Sequence, residues 1–81
     1  MYQVYILFSD KTQHFYTGIS SDAGKRLYFH NQGLNTSTKN GLPWKPVWLS
    51  DEMIKSEALL LERKIKKRGA KRHLIDIGFN F

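Results

Sequence analysis

Cysteine is absent from this 81-residue sequence, and proline and acidic residues are scarce. Without cysteine, disulfide scaffolds, zinc fingers and thiol catalysis are excluded, and a reducing cytoplasmic location is expected. No run of apolar residues approaches the ~18 of a membrane helix, so we expect no membrane partner. The first fifteen residues also lack the charged start, long apolar stretch and cleavage site of a signal peptide.

Positive charge dominates what is present: 13 Lys and Arg oppose 7 Asp and Glu, which gives a net charge of +6. The length predicts a single domain over residues 1–81, too small to enclose a deep pocket. Eight of the thirteen basic residues lie between Lys55 and Arg72. Such clustering favours a polyanion such as DNA as partner, although a solubilising helix face has the same composition.

Runs rich in β-branched and aromatic residues predict three strands, over residues 2–8, 15–19 and 44–49. The polar segment SDKTQH (9–14) predicts a hairpin between the first two, with a loop longer than the tightest turns. Gly18 allows a close approach of backbone or ligand, or marks a bulge. Pro46 cannot donate a ladder hydrogen bond, so the third strand should have a free edge or a break there.

Capping residues and glycines delimit three predicted helices. Ser21 or Asp22 can cap the first helix, which runs to about residue 31 and stops at Gly33, followed by a loop over 33–43. Ser56 can cap a second helix over 57–68, and a third helix covers 70–77. Ala58, Leu61 and Ile65 form the core stripe of the second helix. The order β-β-α-β-α-α predicts an α+β fold, a small antiparallel or mixed sheet flanked by helices.

Five polar side chains near the predicted apolar faces suit phosphodiester chemistry: Tyr5, Tyr16, Arg26, His30 and Glu62. A single carboxylate can hold Mg²⁺ whose shell is completed by water and phosphate. Arginine clamps phosphate with two parallel hydrogen bonds, and a phenol or imidazole can orient or deprotonate water. Tyrosine has a reference pKa of ~10, so a neighbouring cation or metal must lower that pKa.

Each of these residues also has a purely structural interpretation. Arg26 can pair with Asp22 and Glu62 with Lys66, each four residues apart on a helix. The strand tyrosines can be core residues, and His30 can be a helix-end residue that interacts with the helix dipole. Outside this set, His14 and His73 are expected to be a turn residue and part of the basic tail. Trp44 and Trp48 are expected in the core, unless one stacks on a base.

Four segments in order resemble the GIY-YIG nuclease domain: QVYIL (3–7), FYTGIS (15–20), KRLYFHN (25–31) and SEALLLERKIKK (56–67). The sequence looks most similar to the short single-domain bacterial members of that superfamily. The resemblance covers nearly the whole chain, and it rests on the matching gaps rather than on any single motif. It implies a divalent-metal-dependent DNA endonuclease, structure-specific in DNA repair or recombination, with a small central sheet flanked by helices.

The resemblance also implies roles for individual residues. Glu62 would hold Mg²⁺ or Mn²⁺, and Arg26 would stabilise the scissile phosphate. Tyr5 and Tyr16 would place or activate the attacking water, with the choice of base open, while His30 would be a proton shuttle or a phosphate contact. The residues expected to contact DNA are Lys25, Arg63, Lys66, Lys67, Arg68, Lys71 and Arg72.

Departures from the family pattern keep other functions open. Gln3 occupies the position of the first signature's glycine, and Ile19 occupies the position of a lysine found in some members. Leu74 occupies the position of a late asparagine, and Asn80 is too distant to replace that asparagine. One alternative is therefore a nucleic-acid-binding module without catalysis, and another is a basic protein–protein adaptor that uses the helices of residues 55–72. Members usually carry a separate targeting domain, so we expect a targeting protein partner; the oligomeric state stays open.

Overall fold

The secondary structure follows the predicted order. A computed structural model describes residues 1–33 and 38–79. Within these residues the elements are strands β1 (Gln3–Ser9), β2 (His14–Ser20) and β3 (Trp44–Leu49), helices α1 (Ala23–Asn31), α2 (Lys55–Arg68) and α3 (Ala70–Asp76), and a 3₁₀ turn at Lys39–Gly41. The predicted α+β class is confirmed. Residues 34–37 of the predicted loop, and Asn80, lie outside the described residues.

The sheet has the strand order β2-β1-β3, and both pairings are antiparallel. The central strand β1 buries all four residues from Val4 to Leu7, because its neighbours and the helices cover both of its faces. Between Ile6 and Leu7 the register with β3 shifts: Ile6 pairs with Trp48 and Leu7 with Pro46. Pro46 thus lies on an edge strand next to this register shift, so both the free edge and the break predicted at Pro46 are present.

One face of the sheet forms the apolar core against α2 and α3. Val4 and Ile6 pack there with Ala58, Ile65 and Leu74, and all five are fully buried. Burial of each large aliphatic side chain stabilises the fold by about 1.5–3 kcal/mol. The predicted stripe on α2 is therefore confirmed at Ala58 and Ile65, and the half-buried Leu61 packs against this core.

The opposite face of the sheet packs against α1. Tyr5, Leu7 and Trp44 form its buried cluster, and Leu27 of α1 packs against it. Side chains alternate between the two faces along a strand, so neighbouring residues of β1 serve different helices. Consequently α1 and α2 lie on opposite faces, and residues of the two helices can meet only around a sheet edge.

The helix ends follow the predicted signals with one exception. The Asp22 carboxylate accepts a hydrogen bond from the Lys25 N–H at 3.1 Å, which confirms Asp22 as the cap of α1. The cap predicted at Ser56 is wrong, because α2 begins at Lys55 and its N-cap residue is Ile54 without a side-chain cap bond. A long-range contact sets the start of α2 instead, because Met53 pairs with Tyr2 immediately before the helix.

None of the helices within residues 1–33 and 38–79 has the length and apolarity needed to span a bilayer.

Candidate active site

Gly18 allows the ring of Tyr5 to lie across strand β2. The two residues are direct partners in the antiparallel register. A side-chain Cβ at position 18 would overlap the Tyr5 hydroxyl and lie 2.6 Å from the ring Cζ. The close approach predicted at Gly18 is therefore real, and the atom that approaches is the phenol of Tyr5.

Tyr5 and His30 are joined by a buried hydrogen bond. The Tyr5 hydroxyl lies 3.0 Å from His30 Nε2, and His30 Nδ1 lies 2.9 Å from the Thr38 hydroxyl. Tyr5 is 4% exposed, while His30 and Thr38 are fully buried. Sequence analysis did not identify Thr38, since a threonine in a polar loop carries no spacing signal that distinguishes it from its neighbours.

Trp44 connects Thr38 to helix α1. Its indole Nε1 donates to the Thr38 carbonyl at 2.6 Å. The Asn31 amide in turn donates to the Trp44 carbonyl at 3.0 Å and accepts from the Trp44 N–H at 2.8 Å. Because Asn31 follows His30 on α1, these contacts connect Thr38 to the helix that carries the imidazole.

Tyr16 completes the aromatic group of the site. It faces the same side of the sheet as Tyr5, with ring centroids 6.3 Å apart, and its ring meets His30 edge-on at 4.8 Å. Tyr16 is half-buried whereas Tyr5 is buried. Of the two phenols, Tyr16 therefore lies closer to solvent.

Burial raises the pKa of Tyr5 to about 12, and the charge of Tyr16 acts in the same direction. The nearby Arg26 guanidinium opposes this shift, while the Glu62 carboxylate adds to it. A phenol that acts as a base near neutral pH needs a neighbouring cation or metal to lower its pKa. Arg26 acts in that sense, but desolvation outweighs it, so Tyr5 is a protonated phenol near neutral pH.

The pKa of His30 is lowered from its usual range, first by burial and then by the nearby Arg26. The imidazole is consequently neutral near pH 7, so one ring nitrogen donates and the other accepts a hydrogen bond. A neutral histidine of this kind can receive a proton from the phenol.

Arg26 projects from α1 into an open cleft of about 280 Å³ that Lys25 and Phe29 also line. Its guanidinium lies 5.2 Å from the centre of the Phe29 ring. Asp22 forms no ion pair with Arg26, although both are among the described residues, since its carboxylate caps the helix instead. The structural interpretation of Arg26 as a partner of Asp22 is therefore wrong.

Glu62 lies at the rim of the core, as predicted, with 20% of its side chain exposed. Its carboxylate is 3.3 Å from the Lys66 ammonium, so the predicted pairing is also present. Glu62 also acts electrostatically on the Tyr5 phenol, and helix α2 contacts strand β2.

No cluster of three or more His, Asp or Glu side chains suited to a metal occurs in the described part of the chain. Glu62 accordingly offers a single carboxylate at an accessible rim. That donor set fits a hard divalent cation that keeps several waters and uses substrate phosphate to complete its shell. It does not fit a closed structural metal site.

The basic residues of α2 fall on two flanks of the helix. Lys66 lies about 40° from Glu62 around the helix axis and Arg63 about 100° away, whereas Lys64, Lys67 and Arg68 lie roughly 120–160° away. The latter three line a second cleft of about 480 Å³ next to α3, in which Arg68 makes a two-bond pair with Asp76 at 2.8 and 3.1 Å. Lys71 and Arg72 are exposed on α3.

His73 is not a surface residue of a basic tail. It is 8% exposed, its Nε2 has no partner among the described residues, and its ring meets Trp48 edge-on at 5.4 Å. Burial and then the nearby Lys64 lower its pKa. The expectation is wrong because His73 precedes the core residue Leu74 on α3 and turns inward with it.

The three residues that depart from the family pattern, Gln3, Ile19 and Leu74, each make structural contacts in the fold. The Gln3 amide donates to the Ser50 carbonyl at 2.9 Å and so joins β1 to the segment after β3. Ile19 packs against the apolar core, and Leu74 is fully buried within it. These departures therefore have structural roles. Ile19 and Leu74 pack on the face opposite Tyr5, and Gln3 forms its hydrogen bond at the start of β1.

Three of the five predicted catalytic side chains are in direct contact, and the other two influence Tyr5 electrostatically. Tyr5, His30 and Tyr16 are in direct ring or hydrogen-bond contact, and Arg26 and Glu62 act on the Tyr5 hydroxyl. The family model described as the GIY-YIG catalytic domain matches residues 1–74. The chain therefore belongs to the GIY-YIG family, a family of nucleases. Comparison with curated proteins and with solved structures gives no significant match.

Proposed function

We propose that this chain is a divalent-metal-dependent DNA endonuclease that hydrolyses phosphodiester bonds, with structured or branched DNA of repair or recombination as its substrate. The observation that carries the proposal is the buried Tyr5–His30 hydrogen bond of 3.0 Å, with Arg26 and Glu62 acting on the same phenol. A purely structural tyrosine needs no buried imidazole partner, and no influence of a guanidinium and a carboxylate on its phenol. We also propose that the protein acts in the cytoplasm and that a separate protein partner targets it to its substrate.

Glu62 would hold Mg²⁺ or Mn²⁺ through its single carboxylate. When bound, such a cation neutralises developing charge on the phosphate and lowers the pKa of its water. Lys66, which now pairs with Glu62, is exposed and can turn toward a DNA phosphate when the cation takes its place. Arg26, in its open cleft, would clamp the non-bridging oxygens of the scissile phosphate.

Tyr5 and His30 would act together as the base. The Tyr5 oxygen accepts a proton from the attacking water while the Tyr5 hydroxyl proton moves to His30 Nε2. This transfer leaves an imidazolium, and it avoids a free phenolate, which the raised pKa of Tyr5 disfavours. Tyr16, nearer to solvent and in contact with His30, would orient the water.

DNA would approach along the edge where these groups meet. Lys25 flanks Arg26 in the same cleft, and Arg63 and Lys66 flank Glu62 on α2. Backbone contacts of this kind carry little sequence information. Lys67, Arg68, Lys71 and Arg72 would add longer-range attraction, because a positive surface raises the association rate with a polyanion.

The test is cleavage of labelled branched and single-stranded DNA with Mg²⁺ or Mn²⁺, comparing the wild type with Glu62→Gln. We expect a loss of about 10³-fold or more, since the variant keeps the shape but loses the charge that holds the metal. The melting temperature should barely change. Glu57→Gln, an exposed acid in the first turn of the same helix, is the matched control and should retain activity. Equal cleavage by the wild type and Glu62→Gln would reveal a contaminating nuclease.

A DNA-binding module without catalysis is the second candidate, and the departures at Gln3, Ile19 and Leu74 favour it. A metal that binds the folded state must raise the melting temperature, and Glu62→Gln should abolish that rise if the nuclease proposal holds. The binding module instead predicts no metal-dependent change, together with DNA affinity that falls steeply with salt. Absence of any DNA retention at low salt would leave the adaptor hypothesis.

A further inference from the structure

We propose that the groove between helices α2 and α3 binds a peptide segment of another protein, one in which apolar side chains are followed by acidic residues. The two helices cover the face of the sheet opposite Tyr5, so this surface is separate from the candidate active site. The inference goes beyond the proposed nuclease function, because it concerns a protein partner and uses no catalytic side chain.

Two adjoining clefts make up the α2–α3 groove. The first, of about 380 Å³, is lined largely by apolar side chains: Trp48, Leu49, Met53, Leu61 and Ile77. The second is the basic cleft of about 480 Å³ next to α3. His73 and Ile77 line both clefts, so the groove passes from an apolar half into a basic half.

The apolar half is incompletely covered. Ile77 is 48% exposed and Leu49 is 50% exposed, while Trp48, Met53 and Leu61 are half-buried. An apolar side chain of a partner that enters this half removes part of this surface from water, which favours binding.

Charge is distributed unevenly along the groove. Lys64 and Lys67 line the basic half, and neither forms an ion pair with another described residue. Arg68 is already held there by Asp76 through two hydrogen bonds. Asp51 lies in the lining of the apolar half, where it repels a carboxylate. A complementary ligand therefore has its acidic groups at the two lysines and its apolar groups at the other end.

His73 lies where the two clefts meet. It is buried, its ring meets Trp48 edge-on at 5.4 Å, and its Nε2 has no hydrogen-bond partner among the described residues. Most buried polar atoms of side chains have such a partner. A peptide, unlike a purely apolar ligand, brings backbone donors and acceptors to this junction.

Exposed lysines also attract DNA, but the composition of the groove favours a peptide. A phosphate backbone gains nothing from apolar side chains such as Met53, Leu61 and Ile77, and the carboxylates of Asp51 and Asp76 repel it. Protein interfaces, in contrast, combine an apolar centre with a polar, charged rim. Amphipathic peptide segments bind in grooves of this kind.

The experiment is an NMR titration of the ¹⁵N-labelled protein, without metal or DNA, with a synthetic peptide that has leucines at one end and glutamates at the other. We expect saturable shifts of backbone amide signals in the groove, at Met53, Leu61, His73 and Ile77. Peptides with glutamine in place of glutamate, or serine in place of leucine, should bind more weakly.

The double variant Lys64→Gln, Lys67→Gln tests the basic half. Affinity for the acidic peptide should fall by about 2- to 30-fold, the value of two exposed ion pairs, whereas affinity for the glutamine peptide should stay the same. The double variant Lys11→Gln, Lys39→Gln removes the same charge from exposed positions outside the groove and is the matched control.

Ile77→Ser tests the apolar half and should weaken the binding of both peptides. Ile75→Ser is its control, because Ile75 is 60% exposed two residues earlier and does not line the groove. All substituted side chains are exposed, so the fold should persist, and unchanged signals outside the groove verify this.

Absence of saturable shifts in the groove overturns the proposal, and so does an equal loss of affinity in the lysine variant and its charge-matched control. A single-stranded DNA oligonucleotide that binds in the groove more tightly than the acidic peptide also overturns it, in favour of a nucleic-acid surface. The result is independent of the proposed function: a protein that cleaves no DNA can still bind the peptide, and a nuclease that does not bind the peptide contradicts only this inference.

Discussion

The two faces of the sheet differ in what fills them. Against α2 and α3, the strands bury aliphatic side chains in an apolar core. Against α1, the same central strand buries a phenol that is hydrogen-bonded to a histidine. Because side chains alternate along a strand, Val4 and Ile6 serve stability while Tyr5 between them serves the site. Adjacent residues of β1 therefore differ in role, because one packs in the apolar core and the next belongs to the candidate site.

The largest effect on stability should come from the core face. Ile65→Ala removes a fully buried side chain from α2 and should lower the free energy of unfolding by about 2–5 kcal/mol. Leu60→Ala on the same helix, where the side chain is 63% exposed, should change stability by less than about 0.5 kcal/mol. Urea unfolding measures both. Equal losses would mean that the core does not lie where the structure has it.

A smaller effect that involves both stability and activity should come from Gly18→Ala on the site face. The new methyl group meets the Tyr5 ring and hydroxyl, so we expect about 1–3 kcal/mol of destabilisation and a displaced phenol. DNA cleavage should fall with it. Gly24→Ala is the matched control, since its Cβ would meet only the Asp22 carboxylate at 3.7 Å. A fully active, stable Gly18→Ala would contradict the placement of Tyr5 over β2.

The smallest effect should be the pH dependence of stability, to which each face contributes one histidine. Burial lowers the pKa of both His30 and His73, so the unfolded chain binds their protons more readily. Stability should therefore decrease as the pH falls through ~6.5, the value in the unfolded chain, and should be fully present above it. Thermal melts between pH 7.5 and 5 test this point.

His73→Gln separates the two contributions. The slope of melting temperature against pH should become shallower but persist, because His30 still titrates on the other face. A variant that loses the whole slope would show that the α1 face tolerates a charged imidazole. A variant with an unchanged slope would show that His73 does not contribute.

Local sequence patterns were sufficient for the elements and their order. The β-branched runs, the cap at Asp22 and the stripe of Ala58 and Ile65 each depend on residues close in sequence, and the structure confirms them. The cap at Ser56 was wrong because a long-range pairing between Tyr2 and Met53 set the start of α2. Residue preferences within a few positions carry no information about such a pairing.

The sequence proposed residues for a candidate site, but it did not predict their chemical surroundings. Motif spacing pointed to Tyr5, Tyr16, Arg26, His30 and Glu62, but Thr38 has no such spacing and His73 was assigned to the surface. The raised pKa of Tyr5 follows from burial, and the hydrogen-bond partners of His30 come from distant segments. Both are properties of the folded surroundings.

The sequence by itself determined the α+β class, the basic character and the family, because these depend on composition, local periodicity and the order of short motifs. Only the tertiary structure decided that a helix on one face and a helix on the other act on one phenol. It also decided which nitrogen of His30 faces that phenol's hydroxyl. Desolvation and hydrogen-bond pairing arise between groups far apart in the chain, so they appear only when the sheet brings those groups into contact.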